Sequence, residues 1–318
     1  MNTIPSIFNE RIISYSIVKG NQELQEIKMP VTCILLCHGI NQFKQIIYKN
    51  LLEKGFAQII SVEKKTLVNN VEELSNEFPQ IKFIVLLEDD ITEGDMLNVA
   101  MGEAEFKNVL VLQDGQCTQK FNFSAAMAKK MIDKNVFCVC PRLVSANYDS
   151  MNVCFKPSTK KSKFEIQEVL NYSDGDKTLY SADLSGFYNL DKYIQLGGID
   201  YTIKSEYWQK IDLFLRSWLW GEKTVISTAL VLRYGETEIN YNKTPDETYM
   251  RFYLKNLLPI FKTDHAYIPL KSFIAFNFRS PYSFSDSISL FNDARKWTLK
   301  NQYRFKTDAA TLIENWEK

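Results

Sequence analysis

The sequence predicts an α/β protein built on a mostly parallel β-sheet with helices packed on its faces. Between residues 31 and 115, short apolar runs alternate with segments in which apolar residues recur at helical spacing. The apolar runs are continuous, which is typical of strands that are buried on both faces. Repeated strand–helix units favour a parallel sheet, because each helix returns the chain to the edge from which the next strand starts.

The predicted elements follow one another from the N-terminus. Residues 10–20 alternate well enough for one edge strand, and residues 31–39 form a buried strand that ends at a glycine. Residues 40–55 place apolar side chains at helical spacing and stop at Gly55. Three further strands and two helices are predicted, in chain order, from FAQIISVEKK, VNNVEELSNEF, IKFIVLLEDD, ITEGDMLNVAMGEAEF and NVLVLQDGQ.

Two later segments have less regular patterns. TVISTALVLRYG predicts one more strand, whereas FKPSTKKSKF (155–164) is basic, has no apolar pattern and predicts a solvated loop or a mobile flap. Ligands of parallel sheets bind at the carboxyl ends of the strands. In this sequence those ends are Cys37-His38-Gly39, Glu63-Lys64, Glu88-Asp89-Asp90 and Gln113-Asp114-Gly115.

Composition excludes several classes of protein. The 38 basic and 38 acidic side chains cancel, so no nucleic-acid partner is expected. No apolar run approaches the roughly 20 residues of a membrane span, and the N-terminus does not read as a signal peptide. We therefore expect a cytoplasmic protein with at most peripheral contact at the inner face of a membrane. The six cysteines are expected to be small core residues, because none forms a CxxC pair.

The stretch from Tyr180 to Gly221 carries the most specific pattern. It contains a small-residue turn, a short aromatic strand, the segment DKYIQLGGID and a helix that reads EYWQKIDLFLR. This order resembles the acceptor half of the inverting family 2 glycosyltransferases, which have the GT-A fold. The N-terminal half resembles their nucleotide-binding half in order and spacing, through SVEKK and through TEGDMLNVAMGEA followed by VLVLQDGQ. The resemblance covers about residues 31–260.

The resemblance implies a domain organisation. Residues 1–29 are an N-terminal extension, and residues 30–250 are a GT-A-like domain with a nucleotide-binding half (30–120) and an acceptor half (121–250). Residues 251–318 are a C-terminal extension, aromatic and helical, with 11 basic and 6 acidic side chains. A packed helical subdomain is the favoured interpretation of this extension; binding of an acceptor or of a membrane surface are the alternatives.

The resemblance also implies transfer of a sugar, with inversion, from a nucleotide-diphosphate sugar to a glycan, lipid-linked or protein acceptor. Asp114 matches the surviving carboxylate of the family's DxD motif and would hold Mg²⁺ or Mn²⁺ against the diphosphate. Glu63 matches the acidic position that contacts the nucleotide base. The other donor-side candidates are His38, Asn98, Gln113, Lys210 and Arg233. Glu88-Asp89-Asp90 is a rival for the metal motif.

The acceptor side departs from the family's pattern. The two positions that usually hold the Glu-Asp pair with the general base are Gln209 and Lys210 here. Asp212 is the surviving carboxylate, although its spacing from Arg216 also predicts a structural ion pair along the helix. Glu206 is the second candidate for the base, and Lys210 is a candidate counter-charge for phosphate. Gly197, Gly198 and Trp208 are the expected acceptor-binding residues.

Two alternatives to an active transferase follow from these departures. A degenerate glycosyltransferase fold would retain nucleotide or glycan binding, or a scaffold role, without turnover. A nucleotidyltransferase of related sheet topology is disfavoured, because CHGINQFKQ has one glycine and no Gly-rich phosphate loop.

Overall fold

A computed structural model describes residues 11–20, 27–38, 43–65, 71–116, 122–161, 163–234 and 241–317. Within these ranges an eight-stranded sheet is accompanied by two small two-stranded sheets. The strands are β1 (Tyr15–Val18), β2 (Met29–Cys37), β3 (Phe56–Lys64), β4 (Lys82–Leu86), β5 (Asn108–Gln113), β6 (Cys138–Val144), β7 (Phe155–Lys160), β8 (Lys163–Glu168), β9 (Gly186–Asn189), β10 (Thr224–Arg233), β11 (Ile260–Lys262) and β12 (His265–Tyr267).

The strand order of the large sheet creates a crevice at its centre. The order is β1-β4-β3-β2-β5-β9-β6-β10, with β9 antiparallel to both of its neighbours and β1 antiparallel to β4. The chain moves outward from β2 through β3 to β4 and then returns to the other side of β2 with β5. A sheet of this kind opens a crevice at the carboxyl ends of the two strands that flank such a reversal. The crevice therefore lies where His38 and Asp114 follow β2 and β5.

Helices cover the sheet and extend from its far edge. They are α1 (Lys44–Glu53), α2 (Val71–Glu77), α3 (Glu93–Gly102), α4 (Ala125–Asp133), α5 (Leu190–Leu196), α6 (Glu206–Leu219), α7 (Tyr249–Phe252), α8 (Ser272–Arg279), α9 (Phe284–Asn301) and α10 (Ala309–Glu314), and a π-helical turn (Tyr253–Leu257) continues α7. Helix α3 begins with a capping box, in which the Thr92 hydroxyl and the Asp95 carboxylate each accept a backbone N–H of the other residue.

The structure confirms the predicted α/β fold with its mostly parallel sheet, and it corrects one element. Residues 155–164 are not a loop: they form β7 and the start of β8, paired as an antiparallel hairpin. The hairpin lies outside the main sheet, and most of its side chains are partly or fully exposed. The segment FKPSTKKSKF is mostly polar and basic, and the polar–apolar alternation of β8 (KFEIQE) begins only at its end, so that segment alone does not reveal a strand.

The C-terminal segment packs against the domain through aromatic rings. Trp218 and Trp220 of the α6 region contact Trp316 and Trp297, with ring centroids 4.6 and 6.1 Å apart. This packing agrees with the favoured interpretation of residues 251–318 as a packed helical segment. In the part of the chain that the structure describes, no helix is both long and apolar enough to cross a membrane.

The cysteines lie in the interior as expected. Five of the six are free and buried; Cys117 lies outside the described residues.

Candidate functional site

Lys210 is a buried ammonium at the centre of the candidate site. It lies on α6 and is 1% exposed, yet its Nζ has no carboxylate within 4 Å among the described residues. Its contacts are the carbonyl of Ala182, to which it donates a hydrogen bond, and the ring of Tyr241, whose centroid is 3.6 Å from Nζ. Burial lowers the pKa of Lys210 to about 8, although Glu93 and Asp183 act in the opposite direction. Burying a charge without an opposite charge beside it is costly, so Lys210 is a candidate functional residue.

Glu93 is the centre of the polar network beside Lys210. Its Oε1 accepts a hydrogen bond from the Gln113 amide at 2.5 Å, and its Oε2 accepts one from the Tyr241 hydroxyl at 3.0 Å. Its backbone N–H donates to the Glu206 carboxylate at 3.1 Å. Burial raises the pKa of Glu93, while His38 and Lys210 oppose the shift. The network thus joins the end of β5 to both α3 and α6.

His38 and Asp114 complete the network at the crevice. The His38 Nε2 lies 2.7 Å from the Gln113 amide oxygen, and the His38 backbone N–H donates to Asp114 Oδ2 at 3.1 Å. The His38 side chain is 35% exposed, whereas Asp114 is 6% exposed. Of these two residues at the crevice, His38 is therefore the more accessible to solvent.

Asp183 and Gln116 form the adjoining part of the site. The Gln116 amide donates to Ser185 Oγ at 2.7 Å and to Asp183 Oδ2 at 3.2 Å. The Ser185 backbone N–H and hydroxyl both donate to Asp183. Burial raises the pKa of Asp183 despite these bonds. The β5 end is therefore held against the segment that precedes β9.

A cleft of about 470 Å³ opens beside Lys210. Its walls come from the segment after β6, from the β7–β8 hairpin and from the region around Tyr241. Hydroxyl groups, amides and aromatic rings line it, among them Ser150, Asn152, Tyr180, Tyr207, Lys210 and Tyr241. Aromatic faces flanked by hydrogen-bonding groups can bind the faces and hydroxyls of a sugar.

The residues present do not fit a divalent metal. The expected motif has one carboxylate, Asp114, and the nearby Gln116 amide is engaged: its oxygen accepts the Gln113 backbone N–H and its nitrogen donates to Ser185 Oγ. Among the described residues, no three His, Cys, Asp or Glu side chains are grouped so as to hold a metal ion. In the rival cluster, Glu88 pairs with Arg11 at 3.5 Å, while Asp89 and Asp90 are exposed. We derive no step through a metal.

Glu63 is placed differently from its expected role. It is 0% exposed, and its carboxylate accepts hydrogen bonds from Lys44 at 2.6 Å, Tyr48 at 3.1 Å and Ser61 at 3.2 Å. A carboxylate enclosed by three donors offers no accessible oxygen to a nucleotide base. The arrangement around Glu63 therefore does not fit the base-binding role that the resemblance implied.

Asp212 also lies in the interior. Its predicted ion pair with Arg216 is confirmed at 2.9 Å, and Asn256 and Lys255 donate to it at 2.7 and 3.1 Å. It is 0% exposed, so no acceptor hydroxyl reaches it in this structure. Because a general base must lie within hydrogen-bonding reach of the proton it takes, Asp212 is better explained as a structural anion.

The glycine pair forms a tight turn that is held from two directions. Gly197 and Gly198 have φ angles of +85° and +68°, which side-chain-bearing residues rarely adopt. Arg216 donates to the Gly198 carbonyl at 2.8 Å. Asn98, expected on the donor side, instead donates to the Ile199 carbonyl at 2.9 Å and accepts the Ile199 N–H at 3.0 Å. Asn98 thus joins α3 to this turn.

The remaining predicted residues fall into two groups. Glu206 is exposed one helical turn before Lys210 and joins the site through Glu93. Arg233 and Trp208 point to other partners: Arg233 donates to the Ala146 carbonyl at 2.5 Å and stacks over Tyr148, while Trp208 packs against Tyr207.

Sequence reasoning missed two members of the site. Glu93 stands in the first turn of α3, where an acidic residue is usually explained by the helix dipole. Tyr241 follows the last main strand without any recognisable pattern.

Comparison with solved structures relates this fold to glycosyltransferases. GalNAc-T7 with UDP, GalNAc and Mn²⁺ matches at a TM-score of 0.55 and 10% identity, covering 87% of this chain and 56% of that one. S. aureus TarS 1-349 matches at 0.50 and 11%, covering 86% and 72%. The match to a longer S. aureus TarS covers 71% of this chain but only 38% of that one.

At these identities the likeness shows the fold alone, and the fold is GT-A-like. This chain spans well under two thirds of the longer TarS and of GalNAc-T7. No protein-family model and no curated protein sequence matches the chain.

Proposed function

We propose that the protein transfers a sugar from a nucleoside diphosphate sugar to a hydroxyl group of an acceptor, and that Lys210 receives the charge of the diphosphate leaving group. The observation that carries this proposal is the buried ammonium of Lys210, which has no carboxylate partner among the described residues and borders an open cleft. The GT-A-like fold supports the reaction class. S. aureus TarS 1-349 has been crystallised with UDP, and GalNAc-T7 with UDP and GalNAc.

A diphosphate leaving group needs positive charge where it departs. A fixed ammonium in a water-poor site supplies that charge without reorganisation and interacts more strongly than it would in water. A divalent metal would ordinarily supply this positive charge, but the side chains around Asp114 do not fit a metal ion. Lys210 carries the compensating charge instead, with Tyr241 and the Ala182 carbonyl holding it in place.

In this proposal Glu206 takes the acceptor proton. It is exposed, lies one turn before Lys210 on α6, and is oriented by the Glu93 N–H. In the proposed step the acceptor oxygen bonds to the anomeric carbon while the bond from that carbon to the β-phosphate oxygen breaks. The electron pair leaves with the diphosphate, and the acceptor proton passes to Glu206. Attack from the opposite face inverts the anomeric centre.

The test is release of nucleoside diphosphate from a panel of UDP, GDP and dTDP sugars, with water as the default acceptor. We expect one donor class to turn over, and Lys210→Met and Glu206→Gln to lose at least about tenfold in rate. Lys129→Met, which alters an exposed lysine on α4, is the matched control and should retain wild-type turnover. Wild-type turnover by Lys210→Met would contradict the proposal.

A nucleotide-binding protein without turnover is the second candidate. The replacement of the family's Glu-Asp pair by Gln209 and Lys210 and the enclosure of Asp212 favour it, because both remove a base for the acceptor without removing the Lys210 ammonium. Binding of a nucleoside diphosphate without release from any donor sugar would establish this candidate in place of the enzyme.

A further inference from the structure

We infer that an apolar surface on the C-terminal helices docks the protein on an anionic membrane surface. This surface, the α8 stripe, consists of Leu270 in the turn before α8, Ile274 and Phe278 on α8, and Phe284 at the start of α9. It is separate from the site around Lys210, and the inference does not depend on the proposed reaction.

The stripe is apolar and open to solvent on a helix whose inner face is already packed. Leu270, Ile274 and Phe278 follow one another at intervals of four residues and are 67%, 64% and 85% exposed. Residues spaced by four share one face of a helix. Phe276, on the opposite face of α8, is 0% exposed. The packing of α8 on the protein therefore does not account for the outer apolar residues.

Phe284 extends the stripe onto the next helix. It is 63% exposed, and its ring centroid lies 5.9 Å from that of Phe273 on α8. Contiguous exposed apolar side chains of this kind usually mark an interaction surface.

The charged residues within the segment that carries the stripe are basic, and the acidic Asp246 and Glu247 lie near Tyr282. Lys271 and Arg279 are both exposed and lie at the two ends of α8. From residue 270 to residue 285 the sequence contains these two basic residues and no acidic one; Asp286 follows as the first acidic residue. Apolar side chains flanked by basic groups fit the interface of a bilayer that contains anionic lipids.

The size and charge of the stripe favour a bilayer over a second copy of the chain. Four such side chains, about two-thirds exposed, offer on the order of 500 Å². A stable interface between proteins takes about 800 Å² from each partner. A symmetric pairing would also bring the Lys271 and Arg279 side chains of both copies together, and like charges oppose association.

The experiment is co-sedimentation of the full chain with vesicles of phosphatidylcholine alone and of phosphatidylcholine with phosphatidylglycerol, at low and at high salt. We expect binding to the anionic vesicles, weaker binding to the neutral ones, and loss with salt. Phe278→Asp should weaken the partition by about tenfold or more. Leu170→Asp is the matched control, because Leu170 is 82% exposed but lies outside the stripe.

Three results would overturn the inference. These are wild-type protein that stays in solution with both vesicles, equal losses in Phe278→Asp and Leu170→Asp, and a wild-type dimer that Phe278→Asp dissociates. Thermal melting checks that Phe278→Asp is folded. Its nucleotide binding should be unchanged, so that failure of the membrane inference is distinguishable from failure of the proposed function.

Discussion

The proposed role of Lys210 predicts how the affinity for a nucleoside diphosphate depends on pH, in the wild-type protein and in variants with arginine or methionine at this position. Burial lowers the pKa of this ammonium from 10.5 to about 8. The protonated fraction in the free protein is therefore about ten in eleven at pH 7 and about one in eleven at pH 9. If the ammonium binds the diphosphate, affinity for a nucleoside diphosphate should fall about tenfold between these pH values, which corresponds to about 1.4 kcal/mol.

The assay is titration calorimetry with the nucleoside diphosphate at pH 7 and pH 9. Lys210→Arg should show little change between the two, because a guanidinium stays charged throughout. Lys210→Met should bind weakly at both. An affinity of wild-type protein that does not change from pH 7 to pH 9, or that rises, would refute the role of the ammonium. A turnover rate that increases through pH 8 would point instead to Lys210 as the base.

The same lysine should make the free energy of unfolding rise with pH, whereas it makes the nucleotide affinity fall. Its folded pKa of about 8 lies below the unfolded value of 10.5. Between these pH values the unfolded chain binds more protons, so the free energy of unfolding should rise with pH. Below pH 8 the buried charge costs on the order of 3 kcal/mol. We therefore expect Lys210→Met to raise the urea midpoint at pH 7 while it removes nucleotide binding; a lower midpoint would contradict this account.

Three further outcomes are expected. Lys255→Met should lower the free energy of unfolding by about 1–3 kcal/mol in urea titration, because it removes one cation from each of two buried carboxylates, Asp200 at 2.7 Å and Asp212 at 3.1 Å, which keep their other pairs with Arg251 and Arg216; an unchanged midpoint would count against the network. Asn98→Ala should lower the free energy of unfolding by about 1–3 kcal/mol, because the backbone N–H and carbonyl of Ile199 both lose their hydrogen bond to Asn98. The nucleotide affinity of this variant should be unchanged. Prior treatment with EDTA should not change the nucleotide affinity measured by calorimetry. A loss of affinity after EDTA treatment would show that a metal takes part.

The sequence predicted the sheet well because buried parallel strands have a continuous apolar pattern. Residues 31–39 and NVLVLQDGQ could be recognised as strands because their side chains are enclosed on both faces. Strand β7 could not, since FKPSTK is mostly polar and basic and has no continuous apolar run. It depends on pairing with β8, which its own sequence does not report.

The site was predictable only in part. Strand ends placed His38 and Asp114 in the crevice, and the glycosyltransferase-like segment singled out Lys210. The contact between Lys210 and Tyr241 joins residues 31 positions apart, and Glu93 enters through α3. Such convergence depends on tertiary packing. The spacing of Asp212 from Arg216 predicted their ion pair. That the carboxylate is also enclosed could be seen only in the structure.

The most direct test of the account is thermal unfolding with UDP, GDP, CMP and dTDP sugars, each with and without Mn²⁺. A ligand at one hundred times its Kd stabilises the folded state by about 2.7 kcal/mol, which is readily measured. We expect one nucleotide class to stabilise the wild-type protein without Mn²⁺ and to have no effect on Lys210→Met. The absence of a shift with every donor, a shift that requires Mn²⁺, or an equal shift in Lys210→Met would contradict the central claim.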